Sequence, residues 1–185
     1  MLRKIVLGLV LAWASHFSWA GVAHYNQLSI QKENSQNLRL EFTVNPSQLL
    51  HQWLAPSMPF AAFLQQYAAL PEDALHKALT KAIKKFEGEC FVVPSSGTKR
   101  TIKLSDFPAT AELKLLLQRN LLLLDLPGNV QAHVEPIVIK ASIVSKMPLH
   151  RVQLYVSPAV FPIQVQYQHD VLWLTAQIPM ALYDF

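Results

Sequence analysis

Residues 137–174 read IVIKASIVSKMPLHRVQLYVSPAVFPIQVQYQHDVLWL, with apolar side chains at every second position over most of the stretch. Successive side chains of a β-strand point to opposite faces, so this alternation is typical of strands that bury one face. The alternation is interrupted around Pro148 and at His169. The pattern predicts four consecutive strands within residues 130–178, joined in sequence order as an antiparallel meander.

Three of the four predicted strands have one apolar and one polar face. The apolar rows are Ile137, Ile139, Ala141 and Ile143, then Val152, Leu154 and Val156, then Ile163, Val165 and Tyr167. Residues 171–174, in contrast, are apolar on both faces. We expect this fourth strand to be covered on both sides, because strands with two apolar faces are usually buried between layers.

A second alternating segment lies nearer the start of the chain. Its apolar residues are Leu38, Leu40, Phe42 and Val44, and polar residues occupy the positions between them. A weaker alternation covers residues 22–30, and the polar segment 32–36 separates the two. Two strands joined by a polar turn predict an N-terminal β-hairpin.

Helical signals follow this hairpin. Asn45 can cap the free N–H groups of a first turn and Pro46 suits the first helical position, so a helix is predicted to begin there. Pro59 opens an apolar segment that forms a second short helix or continues the first. The clearest helix is predicted for residues 71–87, with Gly88 at its end.

The helix predicted for residues 71–87 has an apolar face and a basic face. The apolar face holds Leu75, Ala78, Leu79, Ala82, Ile83 and Phe86, and the rest of the helix carries His76, Lys77, Lys81, Lys84 and Lys85. This pattern is most often a solvated surface over a core. A membrane-surface helix or a partner helix is the alternative.

Four further segments complete the prediction. Residues 89–93 and 100–104 are predicted as strands of another hairpin, residues 110–120 as a helix, and residues 121–126 as a buried strand. The resulting order of strands, helices and strands predicts an α+β domain with a mainly antiparallel sheet and two to four helices on one face or at one end. We expect the meander and the N-terminal hairpin to share one sheet under the main helix.

Residues 1–20 have the layout of a secretory signal peptide. Arg3 and Lys4 precede an apolar run over residues 5–13, and Ser18 and Ala20 fit the −3 and −1 positions of a cleavage site. An uncleaved membrane anchor is the alternative, but the apolar run is shorter than the roughly 20 residues of a spanning helix. We expect cleavage after Ala20 and a single periplasmic or secreted domain over residues 21–185, with no later transmembrane segment.

Composition disfavours several classes of function. The formal net charge is only +4, with no gathering of basic and aromatic residues of the kind that binds nucleic acid. The five glycines do not form a phosphate-binding loop, and no Gly-x-Ser-x-Gly motif occurs. Cys90 is the only cysteine and lies in an apolar strand, where burial raises the pKa of a thiol and leaves it inert. We therefore expect a protein that is not an enzyme.

Four residues form a candidate metal site. His24 lies just after the predicted cleavage site, His133 and Glu135 are two residues apart on one face of a strand, and His169 lies in a turn. Imidazole and carboxylate groups are ligands for zinc or copper. This pattern makes periplasmic metal handling or small-ligand binding the alternative function.

The leading hypothesis is a non-catalytic accessory or adaptor protein of a cell-envelope assembly. It depends on the lack of a catalytic motif and on the predicted open sheet, because a free strand edge can accept a strand from a partner protein. The sequence does not identify that partner or the oligomeric state.

Overall fold

The computed structural model describes residues 26–95, 97–124 and 136–185. Within them the chain forms ten β-strands, four α-helices and one short 3-10 helix. The strands are β1 Asn26–Lys32, β2 Asn37–Val44, β3 Phe91–Pro94, β4 Arg100–Thr101, β5 Lys103–Asp106, β6 Ile137–Val144, β7 Arg151–Tyr155, β8 Ile163–Tyr167, β9 Asp170–Leu174 and β10 Met180–Asp184. The helices are α1 Pro46–Leu54, α2 Phe60–Ala69, α3 Glu72–Glu89 and α4 Thr110–Leu124, and the 3-10 helix is Pro158–Val160.

The strands form two sheets. The large sheet has the order β5-β6-β2-β1-β8-β9, and the small sheet has the order β10-β7-β3-β4. β1 and β8 are parallel, whereas the other paired strands are antiparallel. Helices combined with two sheets that are rich in antiparallel pairs confirm the predicted α+β class. β1 and β2 form the predicted N-terminal hairpin, although residues 22–25 of its first strand lie outside the described residues.

One hydrophobic core lies between the two sheets. The large sheet contributes alternate residues that include Leu28, Leu40, Phe42, Ile139, Ile143, Ile163 and Val165, and the small sheet contributes Val92, Val152, Leu154, Ala181 and Tyr183. The predicted apolar rows therefore do face a core. Because both sheets supply that core with their inner faces, the β-structure is a two-layer sandwich.

The predicted meander is wrong in its pairing. All four of its strands exist, as β6, β7, β8 and β9, but only β8 and β9 are neighbours. β6 pairs with β2, β8 pairs with β1, and β7 lies in the small sheet between β10 and β3. Alternation identifies which residues form a half-buried strand, but it does not identify the partner of that strand.

The links before and after β7 carry the chain from one sheet to the other. Leu149 precedes β7 and is fully buried, and its N–H donates to the Ser35 carbonyl at 2.6 Å. Val156 and Val160 follow β7 and lie in the same core. Both links therefore cross from one sheet to the other, with buried side chains in the core between the sheets. A meander has only tight turns between neighbouring strands and contains no such crossing.

The hairpin predicted for residues 89–93 and 100–104 is divided between the sheets. β3 pairs with β4 as predicted, whereas β5 pairs with β6 of the large sheet. Ile102 lies between β4 and β5, is fully buried, and donates its N–H to the Cys90 carbonyl at 3.1 Å. The chain therefore passes from the small sheet to the large sheet at Ile102.

The four helices share a second hydrophobic core. Its members are Leu50, Phe63, Leu64, Ala68, Leu75, Leu79, Leu113 and Leu117. α3 also reaches the first core, because the Phe86 ring packs edge-on against Phe42 of β2 with 5.4 Å between the ring centroids. Among the described residues, no helix has both the length and the hydropathy needed to cross a bilayer.

The starts of the helices agree with the prediction better than their ends. The Asn45 side chain accepts hydrogen bonds from the N–H groups of Ser47 and Gln48, so α1 begins where its cap predicts. α3 continues through Gly88 to Glu89. α4 runs to Leu124, so the prediction of a strand over its last residues, 121–124, is wrong.

The spacing of the buried residues of α4 explains why residues 121–124 are helical and do not form the predicted strand. Leu113, Leu117 and Asn120 are four and three residues apart and are buried together on one helix face. The Asn120 amide donates a hydrogen bond to the Ser47 hydroxyl of α1. Packing of this face against the other helices stabilises a helix in a Leu-rich segment that is also compatible with a strand.

Candidate interaction surface

Strands β9 and β10 lie at the edges of the two sheets. β9 is the last strand of the large sheet and β10 is the first strand of the small sheet. A short link joins them, in which Thr175 and Ile178 exchange two backbone hydrogen bonds at 3.1 Å each. The two edges therefore lie on the same side of the sandwich.

Six large apolar side chains are exposed along this side. They are 39% to 61% exposed, and we call them the C-terminal edge: Val171, Leu172, Trp173, Ile178, Met180 and Leu182. The segment 171–183 carries no charged residue, since Asp170 and Asp184 flank it. Exposed edge strands usually carry charges or proline that prevent pairing with other chains. Here β9 carries a charge only at its first residue, Asp170, and β10 only at its last, Asp184, and the apolar side chains between them are typical of a surface that another molecule covers.

The pairing register places exposed side chains of β9 and β10 on the outer face of the large sheet, on its inner face at the open edge, and on the outer face of the small sheet. Val171 lies opposite Gln166 on the outer face of the large sheet. Leu172 lies opposite the buried Val165, so it points toward the inner face and is still exposed at the open edge. Leu182 lies on the outer face of the small sheet, opposite Gln153. The apolar surface therefore wraps around the edge.

This exposure corrects the prediction for residues 171–174. They were expected to be covered on both sides, but Val171, Leu172 and Trp173 are exposed and only Leu174 is buried. A strand that is apolar on both faces fits an interior strand and also an edge strand that binds a partner. The structure places β9 at the edge of the large sheet.

The apolar surface continues across the outer face of the small sheet. Met180 lies opposite Tyr155, and the Tyr155 ring stacks on Phe91 with 4.6 Å between the centroids and 14° between the planes. The Lys99 ammonium lies 3.8 Å from the centroid of the Phe91 ring. The surface thus runs from the edge over two half-buried aromatic rings and ends at a cation.

An aromatic cluster holds β10 in place from inside the sandwich. The Tyr183 ring packs edge-on against Tyr167 at 5.7 Å, and Phe185 packs edge-on against Tyr167 at 4.7 Å. Burial raises the pKa of Tyr183 to about 12, and the charge of Asp170 adds to this effect. The Tyr183 hydroxyl is buried and has no hydrogen-bond partner among the described residues. Packing therefore fixes the edge strand in advance of any binding.

Of the four predicted metal ligands, His169 alone falls within the described residues. It is exposed in the two-residue turn between β8 and β9. His24, His133 and Glu135 lie outside the described residues. Within residues 26–95, 97–124 and 136–185, no group of three or more His, Cys, Asp or Glu side chains is arranged to hold a metal ion.

Cys90 is buried, as predicted. The thiol accepts a hydrogen bond from the Ser157 N–H at 3.3 Å, and burial raises its pKa to about 12. The thiolate is the reactive form of cysteine, so the folded protein holds Cys90 in its inert form at neutral pH.

Comparisons with protein-family models, with curated proteins and with solved structures found no match to this chain.

Proposed function

We propose that the protein is a non-catalytic accessory or adaptor component of a cell-envelope assembly, and that it binds a partner protein through the C-terminal edge. The observation that supports this proposal is the uncharged apolar surface on β9, β10 and the link between them. Burying such a surface against a partner is favourable by about 25 cal/mol for each Å² of apolar area removed from water.

The expected mode of binding is the addition of a partner strand to β9. β9 pairs with β8 on one side, and no strand pairs with its other side within the described residues. In this mode backbone hydrogen bonds along the edge supply affinity, and side chains above and below the strand supply specificity. Val171 and Leu172, on opposite faces of β9, are placed to supply those side-chain contacts.

The experiment uses a photo-crosslinking residue placed at position 171, 182 or 144 in the native protein. Positions 171 and 182 lie on the C-terminal edge, whereas Val144 is a still more exposed valine on β6, within the large sheet. We expect crosslinks from positions 171 and 182 to one envelope protein and none from position 144. Recovery of the monomer alone, or crosslinks only between copies of this chain, would contradict the adaptor function.

The periplasmic location belongs to the same proposal and depends on the predicted signal peptide. N-terminal sequencing of protein released by osmotic shock tests it. We expect the chain to begin at Gly21, and protein that stays in the cytoplasm with residues 1–20 attached would argue against an envelope role.

Metal handling remains the alternative function, with His24, His133, Glu135 and His169 as the ligands to test. Among them the exposed His169 ring is accessible to an ion from solvent. Calorimetric titration with zinc and with copper measures this directly. Binding weaker than roughly micromolar would remove the alternative, since dedicated zinc and copper sites bind more tightly.

A further inference from the structure

Helix α3 presents a row of lysines to solvent. Lys77, Lys81, Lys84 and Lys85 are exposed and form what we call the lysine ridge. At 3.6 residues per turn, their spacing of four, three and one places them on one helix face. The buried residues of α3, which pack into the two cores, lie on the opposite face: Leu75, Leu79, Ala82 and Phe86. The ridge is therefore the part of α3 farthest from the cores.

Three of the four ridge lysines form no ion pair within the described residues, although α3 also carries Glu72, Asp73, Glu87 and Glu89. Lys85 lies 3.7 Å from the Glu89 carboxylate, but Lys77, Lys81 and Lys84 have no carboxylate within ion-pair distance in the part of the chain that the structure describes. Four like charges lie within about 12 Å along the axis, given a rise of 1.5 Å per residue. Like charges three and four residues apart weaken a helix slightly, so the ridge is not explained by the stability of α3.

The positive surface extends beyond the end of the helix. Lys99 donates a hydrogen bond from its ammonium to the Gly88 carbonyl at 3.1 Å. This contact places a fifth cation at the C-terminal end of the ridge.

The composition of the ridge favours one kind of partner over another. No large apolar side chain is exposed on α3, and the ridge holds lysine but neither arginine nor an aromatic residue. Protein interfaces are depleted in lysine and depend on aromatic and arginine side chains seated in pockets. Clusters of four to eight lysine or arginine residues on an amphipathic helix are instead typical of attraction to anionic lipid headgroups.

We infer that the lysine ridge holds the protein against the surface of an anionic phospholipid bilayer. The contact is electrostatic and has no inserted side chain, so it weakens as salt shortens the Debye length to about 10 Å at 0.1 M. The four ridge lysines lie on α3, whereas the C-terminal edge lies on β9, β10 and their link, and Lys99 adjoins both surfaces through Gly88 and the Phe91 ring. The membrane contact therefore stands or fails independently of the protein partner proposed above.

Vesicle co-sedimentation of the purified protein tests this inference. One set of vesicles contains about 30% phosphatidylglycerol in phosphatidylcholine, and the other contains phosphatidylcholine alone, so the difference between the sets reports the anionic contribution. We expect binding to the anionic set only, with a loss of at least about tenfold between 0.05 M and 0.3 M salt. This salt dependence tests the inference in the wild-type protein without any substitution.

Two triple variants locate the binding surface. Lys77→Gln/Lys81→Gln/Lys84→Gln removes three charges of the ridge. Lys32→Gln/Lys140→Gln/Lys146→Gln removes three exposed charges from β1, β6 and the link after β6, of which Lys140 is paired with Asp106. We expect the ridge variant to bind anionic vesicles at least about tenfold more weakly, and the control variant to change by less than about threefold.

Three results would overturn the inference. Equal binding of the wild-type protein to both vesicle sets would exclude an electrostatic contact. Equal losses in the two triple variants would show an effect of net charge alone. Retention of the wild-type protein on immobilised poly-glutamate, lost in the ridge variant and without any vesicle binding, would identify an acidic polypeptide as the partner.

Discussion

The hydroxyl of Tyr183 shows how a single atom in the core is connected to the C-terminal edge. It is buried without a hydrogen-bond partner among the described residues, on the strand that carries Met180 and Leu182. A buried polar group without a partner costs about 1 to 3 kcal/mol. The same ring closes the aromatic cluster with Tyr167 and Phe185, so packing offsets the cost of the hydroxyl.

Removal of this hydroxyl is expected to stabilise the protein. Tyr183→Phe keeps the ring and should raise the free energy of unfolding by about 1 kcal/mol in urea titration. Tyr167→Phe is the matched control, since the Tyr167 hydroxyl accepts a hydrogen bond from Gln168 at 3.1 Å and its loss should be destabilising. A lower stability for Tyr183→Phe than for the wild-type protein would mean that the hydroxyl has a partner.

Alkaline pH should destabilise the protein through Tyr183 and Cys90. The pKa of Tyr183 rises from 10.0 to about 12 on folding, and that of Cys90 from 9.0 to about 12. The unfolded chain therefore loses these protons first, so stability is fully present below pH 9 and falls as the pH rises to 12. Urea midpoints measured at pH 8 and pH 10.5 should differ less in Tyr183→Phe/Cys90→Ala than in the wild-type protein, and equal differences would argue against these groups.

The sequence predicts the character of individual residues well, but it does not predict what covers residues 171–174. The sequence predicts that Cys90 is buried because its neighbours are apolar, and the structure agrees. It also identifies 171–174 as apolar on both faces. The sequence does not predict whether those two faces are buried inside the protein, because burial depends on whether the strand lies in the middle or at the edge of the sheet.

At the scale of a single element, the start of helix α1 depends on the side chain of Asn45. The Asn45 carboxamide oxygen accepts hydrogen bonds from the N–H groups of Ser47 and Gln48, each at 3.1 Å. α1 follows β2 directly and carries Leu49 into the first core and Leu50 into the second. The cap therefore helps to join the sheets to the helices.

Loss of this cap should be measurable. Asn45→Ala is expected to lower the free energy of unfolding by about 1 kcal/mol in urea titration, because two N–H groups of the first turn lose their acceptor. Asn45→Asp keeps an acceptor oxygen and adds a favourable charge at the helix start, so it should stay within about 0.5 kcal/mol of the wild-type protein. Equal losses in both variants would assign the effect to Asn45 contacts other than the cap.

Element ends were harder to predict than element starts for a physical reason. A cap such as Asn45 is a local signal, whereas the end of α4 depends on contacts with distant residues. Residues 121–124 are leucines that suit either a helix or a strand, and the hydrogen bond from Asn120 to Ser47 joins residues that are 73 apart in sequence. No pattern within the segment contains that information.

At the scale of the whole molecule, the fold depends on links that cross between the sheets. Leu149, Ile102 and Val160 are the buried side chains of three such links. The sequence predicts an α+β domain and the strands themselves from periodicity. It does not predict the two-layer arrangement, because alternation is the same for strands that face one another and for strands that are neighbours.

Leu149 provides a direct test of this arrangement. Leu149→Ala should lower the free energy of unfolding by about 2 to 5 kcal/mol, because it leaves a cavity in the core between the sheets. Met147→Ala, in the same link, removes a side chain that is 57% exposed and should cost less than about 0.5 kcal/mol. Urea titration measures both, and similar losses in the two variants would contradict the crossing at Leu149.

The central claim is that the C-terminal edge binds a partner protein, and the most direct test is the dissociation constant of the purified complex with the crosslinked partner. Val171→Lys/Leu182→Lys places two charges on the edge, and Val138→Lys/Val144→Lys places two charges on exposed valines of β6. Calorimetry should show binding at least about tenfold weaker for the edge variant and nearly unchanged for the control. Equal affinities of the two variants would contradict the assignment of the binding surface.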